Sequence, residues 1–323
     1  MGAPQKTLSI KGKRFLLKVE SSNASEDYLK YDELRNEIWD FPEDHLAGSR
    51  NMMCENFLHD GSSLFIGVYV EDSLGQIAED RLHLVGFSYG FAGVRDKTVC
   101  FKSLDNLWFY SQYTGVLAAY RGYGLGVQIK EFQKKILVDV FGVYTVTCTY
   151  DPLTGVNASR NIHHFGMDVL EYQAATYGEY GGFLNRLDVP TDRFFMAWDL
   201  KRAVRRPAYR LEDLLGGGHD VVEVEERRVA GRSREENLEV VTRLHPDLDH
   251  EFLLIRIPRD FYLMLRETDR ADPAIRKIPM EWRMKTREAF QRLLQKGYKI
   301  VDFVGLKDRT RKNFYVLKKA QSS

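Results

Sequence analysis

Apolar residues fall into strand-sized runs and two helical patterns along most of the first two hundred positions. Leu8, Ile10, Phe15, Leu17 and Val19 partly alternate and predict one strand over 7–19. Ser25, Glu26 and Asp27 open a helix in capping style. Its apolar positions Tyr28, Leu29, Tyr31, Leu34 and Ile38 lead to Trp39, and Pro42 should stop it. A short helix is expected over 50–58, with Asp60 and Gly61 turning it into a strand at 63–70. Further strands are predicted at 82–91 and 107–119, the second rich in aromatic and β-branched residues. Ile129, Phe132, Ile136 and Leu137 then recur at helical spacing, so an amphipathic helix should cover 128–139, closed by Gly142. A strand at 144–150 stops at Asp151 and Pro152, a short helix follows at 157–164, and strands at 169–175 and 193–200 end this part. No period of 20 to 50 residues repeats, so a solenoid is excluded.

From Lys201 the pattern changes. Residues 201–237 are charge-dense, contain Gly216, Gly217 and Gly218 in a row, and read as a connector with one short helix at 211–215. A strand at 252–257, helices at 258–266 and 279–296, and strands at 298–304 and 313–317 make a second α+β unit. The expected division is 1–200, a connector at 201–237, and a smaller domain at 238–323.

Composition narrows the class only a little. With 44% hydrophobic and 29% charged residues, the chain reads as an ordinary soluble protein. No apolar run approaches the roughly 18 residues that cross a bilayer, so a membrane role is not expected. Lys6, Lys11, Lys13 and Arg14 break up any secretory h-region. Three scattered cysteines, Cys54, Cys100 and Cys148, fit neither a disulfide framework nor a metal set. A cytoplasmic location is the expectation. Charge is uneven: residues 271–323 hold fourteen basic and five acidic side chains, although the whole chain carries only +1. An acidic body of this kind favours a cationic substrate.

The stretch with chemistry in it is Tyr120-Arg121-Gly122-Tyr123-Gly124-Leu125-Gly126, between a predicted strand and a predicted helix. Alternating glycines let backbone approach a ligand closely, and a helix start offers unpaired N–H groups with partial positive charge. A phosphate-binding turn is expected; a connection that binds nothing has no need of three alternating glycines and an arginine. A Rossmann dinucleotide site is disfavoured, because Val127 stands where its third glycine belongs.

Arg121 to Gly126 fits the Arg/Gln-x-x-Gly-x-Gly/Ala motif, and with the element order around it residues 7–200 resemble the GNAT superfamily of acyl-CoA N-acyltransferases. In detail this part is similar to a bacterial subfamily of acetyltransferases that carries a C-terminal extension. The resemblance implies a mixed, mostly antiparallel twisted sheet flanked by helices, with the C-terminal α+β unit as an addition. It implies acetyl-CoA as cosubstrate, no metal, and an amine of a small molecule or peptide as acceptor. Backbone N–H groups of Gly122, Tyr123, Gly124, Leu125 and Gly126 would hold the pyrophosphate, with Arg121 beside it. Val116, Leu117 and Ala118 would pair with the pantetheine arm, and an amide near Val116 or Leu117 would serve as oxyanion donor. Asn157 and Asn161 carry over as cofactor contacts.

The pattern also departs from the family. A tyrosine acid is expected four residues before Gly166, where this chain has Ile162. No Asp or Glu occurs between Asp105 and Glu131, so a carboxylate base on the central strand is missing. Tyr110, Tyr150 and His163 are the candidate catalytic side chains by type and position. Asp151 is a further candidate base, or else caps its own turn. The expected function is acetyl transfer to an amine by direct attack on the thioester. The alternative is a non-catalytic CoA-binding or protein-interaction module. Nucleic-acid binding through 271–323 is disfavoured, because Trp282, Phe290, Tyr298 and Phe303 fall on core positions. The oligomeric state stays open, a homodimer included.

Overall fold

A computed structural model describes residues 2–39, 52–59, 61–177, 184–230, 232, 235–306 and 311–320. Pro42, Arg50 and Asp60, expected at the ends of the first two helices, lie outside the described residues. The chain divides into two compact units, Met1–Cys148 with Asp199–Lys201, and Thr149–Trp198 with Arg202–Ser323. That boundary differs from a division at residue 200.

The first unit begins with a hairpin, β1 (Gln5–Ile10) and β2 (Lys13–Val19), where the sequence pattern suggested a single strand. Lys11 and Gly12 connect them with φ of 50° and 79°, the two left-handed residues that a tight primed turn needs. Helices α1 (Ser25–Trp39) and α2 (Met52–His59) follow, then β3 (Ser63–Val70), β4 (Leu84–Val94) and β5 (Leu107–Val116). Helix α3 (Leu125–Ile136) runs on through a π turn at Leu137–Phe141 to Gly142, whose φ of 66° closes it as expected. β6 (Thr145–Tyr150) gives its first four residues to this unit. β1 to β5 pair antiparallel in chain order, and β6 joins β5 in parallel. This is a mixed, mostly antiparallel sheet flanked by helices. Tyr31, Leu34 and Ile38 of α1 join Met53 and Phe57 of α2 and Phe65, Tyr69, Phe87 and Tyr89 of the sheet in one aromatic-rich core. Leu125, Ile129, Phe132 and Ile136 form the buried face of α3.

The second unit contains α4 (Gly155–Ala158), which continues as a π turn at Ser159–His164, and the antiparallel pair β7 (Asp168–Gln173) and β8 (Arg193–Asp199). Helix α5 (Leu211–Gly216) lies where expected. The rest of the supposed connector is not loop: β9 (Val222–Ala230) and β10 (Glu235–Leu244) form a two-stranded ribbon. Its interspersed charges obscure the apolar pattern, yet Val222, Val229, Leu238 and Val240 are buried. A second sheet has the order β11 (Phe252–Ile257), β13 (Asn313–Lys319), β12 (Tyr298–Gly305). Helices α6 (Phe261–Glu267), α7 (Pro273–Arg276) and α8 (Ile278–Gln295) complete it. Trp282, Ala289, Phe290 and Leu293 are the core face of α8, and the Trp282 indole donates to the Glu239 carbonyl at 2.7 Å.

Residues 149–198 belong with this unit for physical reasons that composition does not display. The Phe194 ring lies 4.9 Å from that of Phe290 and 5.6 Å from that of Tyr315. The buried Asp151 carboxylate receives both terminal nitrogens of Arg283, and Asp192 receives Arg287 and the Tyr172 hydroxyl. Removing one partner of a buried pair strands the other charge. Asp151→Ala, leaving the 1%-exposed Arg283 unpaired, should therefore cost about 3–5 kcal/mol in urea unfolding, whereas replacing both partners by apolar residues should be near neutral. A single-variant loss below about 1 kcal/mol would show that the pair is not what joins these segments.

Candidate cofactor site

β5 is paired with β4 along its whole length, from Leu107 opposite Val94 to Val116 opposite Gly86. Its other edge meets β6 at only two positions, Phe109 with Val146 and Tyr110 with Thr147. From Ser111 onward that edge has no strand partner among the described residues. At the same place the β4–β5 register shifts: Tyr89 faces Tyr113 and Gly90 faces Ser111, so Gln112 bulges out of the ladder. Gly90 is needed there, since a Cβ would stand 2.4 Å from the Phe109 ring and the Tyr110 carbonyl oxygen. The Gln112 side-chain oxygen is buried without a hydrogen-bond partner.

After β5 the chain makes a single 3-10 turn, Ala118–Tyr120, with the Tyr120 amide on the Leu117 carbonyl at 2.9 Å and the Arg121 amide on the Ala118 carbonyl at 3.2 Å. Gly122 and Gly124 follow with φ of 88° and 73°, conformations that other residues rarely hold. Gly124 is the N-cap of α3 and has no side chain to cap it. The amides of Val127 and Gln128 bond to the Gly124 carbonyl at 3.0 and 3.3 Å. Those of Leu125 and Gly126 begin the helix, where no preceding turn supplies carbonyls, and the helix dipole adds partial positive charge. Among the described residues, no heavy atom beyond the adjoining residues lies within 4 Å of where a Cβ would stand on Gly122 or Gly124, so the space over the turn is open.

One residue of this site was not foreseen. Lys11, in the β1–β2 turn, donates from Nζ to the Gly122 carbonyl at 2.9 Å, with its ammonium 5.7 Å from the Tyr123 ring centre. Phe15 of β2 sets its ring edge against Tyr123 at 5.5 Å and against Tyr120 at 6.3 Å. The hairpin thus braces the glycine turn and puts a second cation beside Arg121. Reading Lys11-Gly12 as a turn pair is the signal that would have found it.

An open strand edge that leads into a glycine turn at a helix start, next to two parting parallel strands, is the arrangement the resemblance implies. The fold of the first unit agrees with that resemblance.

No family model matches the chain, and no curated protein matches it. Among solved structures it is similar to Arabidopsis thaliana NAA60 in complex with acetyl-CoA, at 12% identity and a TM-score of 0.42 over 58% of this chain and 99% of that one. It is also similar to the ribosomal-protein-S5-alanine acetyltransferase from Vibrio fischeri, at 9% identity and a TM-score of 0.40 over 61% and 97%. The spermidine/spermine N-acetyltransferase SpeG from Vibrio cholerae gives 11% identity and a TM-score of 0.36 over 57% and 95%.

The expected site residues divide between the units. Tyr110, Val116, Leu117, Ala118 and Arg121 to Gly126 belong to the first. Tyr110 is half-buried on β5, its ring 5.7 Å from that of Phe91. The Leu117 amide already donates to the Val85 carbonyl at 2.9 Å, so it is not free to act as an oxyanion donor. Tyr150, Asn157, Asn161 and His163 belong to the second unit, where each has a partner within that unit. The buried Tyr150 hydroxyl is 3.2 Å from that of Tyr315, which donates to the Pro152 carbonyl at 2.7 Å. Burial, with Tyr150 beside it, pushes the Tyr315 hydroxyl well above the usual phenol range. Asn157 donates to the Thr154 hydroxyl at 3.1 Å and accepts from Arg160 at 2.8 Å. Asn161, buried in the π turn, accepts from Arg160 at 3.3 Å. His163 Nδ1 is 2.8 Å from the buried Asp302 carboxylate, which also accepts from the Tyr209 hydroxyl at 2.7 Å. Asp151 accepts the Leu153 amide at 2.9 Å, the turn-capping role, while bound to Arg283. Ile162, at the position expected for a tyrosine acid, is buried.

These contacts make Tyr150 a packing residue with a modest polar share. Tyr150→Phe leaves Tyr315 its bond to Pro152, so chemical denaturation should show a loss of about 1 kcal/mol. A loss several times larger would mean that the hydroxyl pair holds more than its own hydrogen bond.

Proposed function

We propose that the protein is an acetyl-CoA-dependent N-acetyltransferase that moves an acetyl group to an amine by direct attack on the thioester. The observation behind this reading is the open, uncapped start of α3 at Gly124, continuous with the unpaired edge of β5. Amides from Gly122 to Gly126 point their partial charge at the place a pyrophosphate takes, and Lys11 and Arg121 add full charges. The free edge from Ser111 to Val116 receives a pantetheine arm as an added strand, through main-chain hydrogen bonds. The cosubstrate supplies an acyl carbon already activated as a thioester. The chain supplies orientation, which alone accounts for a large part of the barrier reduction in such reactions. The acceptor is an amine of a small molecule or peptide.

The absence of any carboxylate between Asp105 and Glu131 favours a second reading, a module that binds CoA without catalysis. Release of thiol from acetyl-CoA across a panel of amines separates the two. Binding with silence across the panel supports the module.

Acetyl-CoA at 100 times its dissociation constant should stabilise the fold by about 2.7 kcal/mol and raise the melting temperature accordingly. Gly124→Asp places a carboxylate among the amides at a φ of 73°, which Asp tolerates better than most residues, so the apo protein should lose only about 1–2 kcal/mol. The variant should lose the acetyl-CoA shift altogether. A wild-type melt that neither acetyl-CoA nor CoA moves would refute the cofactor reading.

A further inference from the structure

Beside the opening between β5 and β6 lies a polar pair buried in the first unit. Lys130, on the buried face of α3 and 2% exposed, donates from Nζ to the Ser111 hydroxyl oxygen at 2.6 Å and to the Gln133 side-chain oxygen at 3.3 Å. Ser111 is itself 5% exposed. It is the first residue of β5 beyond the last pairing with β6, and it precedes the Gln112 bulge. Because Lys130 donates to the Ser111 oxygen, the serine keeps its own O–H for another acceptor. Between Ser111 and Val116 the open edge runs for about 17 Å at ordinary strand rise, and its far end leads into the glycine turn. A strand-like arm anchored at the turn and laid along this edge brings its tip to Ser111.

We propose that Ser111, supported by Lys130, is the proton donor to the coenzyme A thiolate as it departs. This rests on the cofactor reading above and assigns the acid role that Ile162 does not fill. As the amine nitrogen bonds to the acyl carbon, the carbon–sulfur bond breaks and its electron pair stays on sulfur. Sulfur takes the Ser111 hydroxyl proton, and the Lys130 ammonium restores that proton to the serine oxygen. The proton shed by the new amide nitrogen returns through solvent to Lys130, so the cycle closes without a further reactant. Ser111 is then the catalytic residue and Lys130 its positioning and recharging partner.

Two readouts test this, and the first needs no turnover. Calorimetry should show CoA binding about tenfold more tightly than desulfo-CoA to the wild type, since only the first offers sulfur to the Ser111 hydroxyl. Ser111→Ala and Lys130→Met should erase that preference while leaving desulfo-CoA affinity unchanged, and Ser111→Thr, which keeps the hydroxyl, should restore it. In acetyl transfer, Ser111→Ala should lower kcat about 100-fold with the KM for acetyl-CoA nearly constant. Lys130→Arg should lower kcat as Lys130→Met does, because a guanidinium does not release its proton. If Lys130→Met fails to fold, the Ser111 variants decide. Equal preference for CoA in wild type and Ser111→Ala, or an unchanged kcat, overturns the assignment while the cofactor reading stands. A wild type that binds CoA and transfers to no amine also overturns it, there being no thiolate to protonate. A wild type that binds neither nucleotide removes the cofactor reading itself.

Discussion

A strand hydrogen-bonded on one edge and bare on the other carries a row of main-chain groups that must find partners. β5 is such a strand from Ser111 onward, and much of the first unit follows from how it is held. Its other edge is locked to β4 along ten residues, so the bare edge cannot close by rotating away. Gly90 lets the bulge at Gln112 form without a clash against Phe109, and the bulge turns Tyr113 toward Trp39 and Phe87 in the aromatic core. One face of the strand is thereby fixed by packing, and the freedom that remains is on the edge. There the main chain presents donors and acceptors at strand spacing to whatever extended molecule can use them.

The second unit handles its charge in a different way. Its last fifty residues are strongly basic in sequence, yet in space their cations meet carboxylates drawn from the rest of the same unit. Arg283 meets Asp151, Arg287 meets Asp192, Arg276 meets Asp188 and Asp269, and Lys318 meets Glu251. The field suggested by counting residues is thus largely cancelled at short range. Trp282, Phe290, Tyr298 and Phe303 are buried, so no aromatic platform for stacked bases is formed by them.

What could be read in the sequence were features coded locally. The glycine turn, the amphipathic spacing of Ile129, Phe132 and Ile136, and the closing Gly142 each state their geometry within a few residues, and each appears in place. The β1–β2 hairpin was hidden because Lys11-Gly12 sits between runs that alternate in phase well enough to pass for one strand. The β9–β10 ribbon was hidden because its outward positions are mostly charged, as in Val222-Glu-Val-Glu-Glu-Arg-Arg-Val229, and composition outweighed alternation. The division into units could not be read at all. It depends on pairs such as Asp151 with Arg283 and Phe194 with Phe290, whose members are about a hundred residues apart. The same holds for Lys130 and Ser111: spacing says that a lysine stands on α3, and only the fold says that it points inward.

This difference in range also explains where the expected site residues lie. Those from Tyr110 to Gly126 lie on one continuous strand–turn–helix segment, whose geometry is set by main-chain pairing with β4 and by the start of α3. Such a segment carries its own helix-start amides and its own open edge, and it needs no distant partner to create them. Tyr150 and His163 were chosen by residue type, and a titratable side chain is as useful to a buried network as to a reaction. Tyr315 holds the first and Asp302 the second, through contacts 165 and 139 residues away in sequence. Main-chain chemistry in this protein is therefore local and legible, while side-chain chemistry is decided by long-range partners. The proposed acid pair stands between the two kinds: Ser111 and Lys130 belong to that same segment, but only the packing of α3 against β5 brings the lysine nitrogen to the serine oxygen.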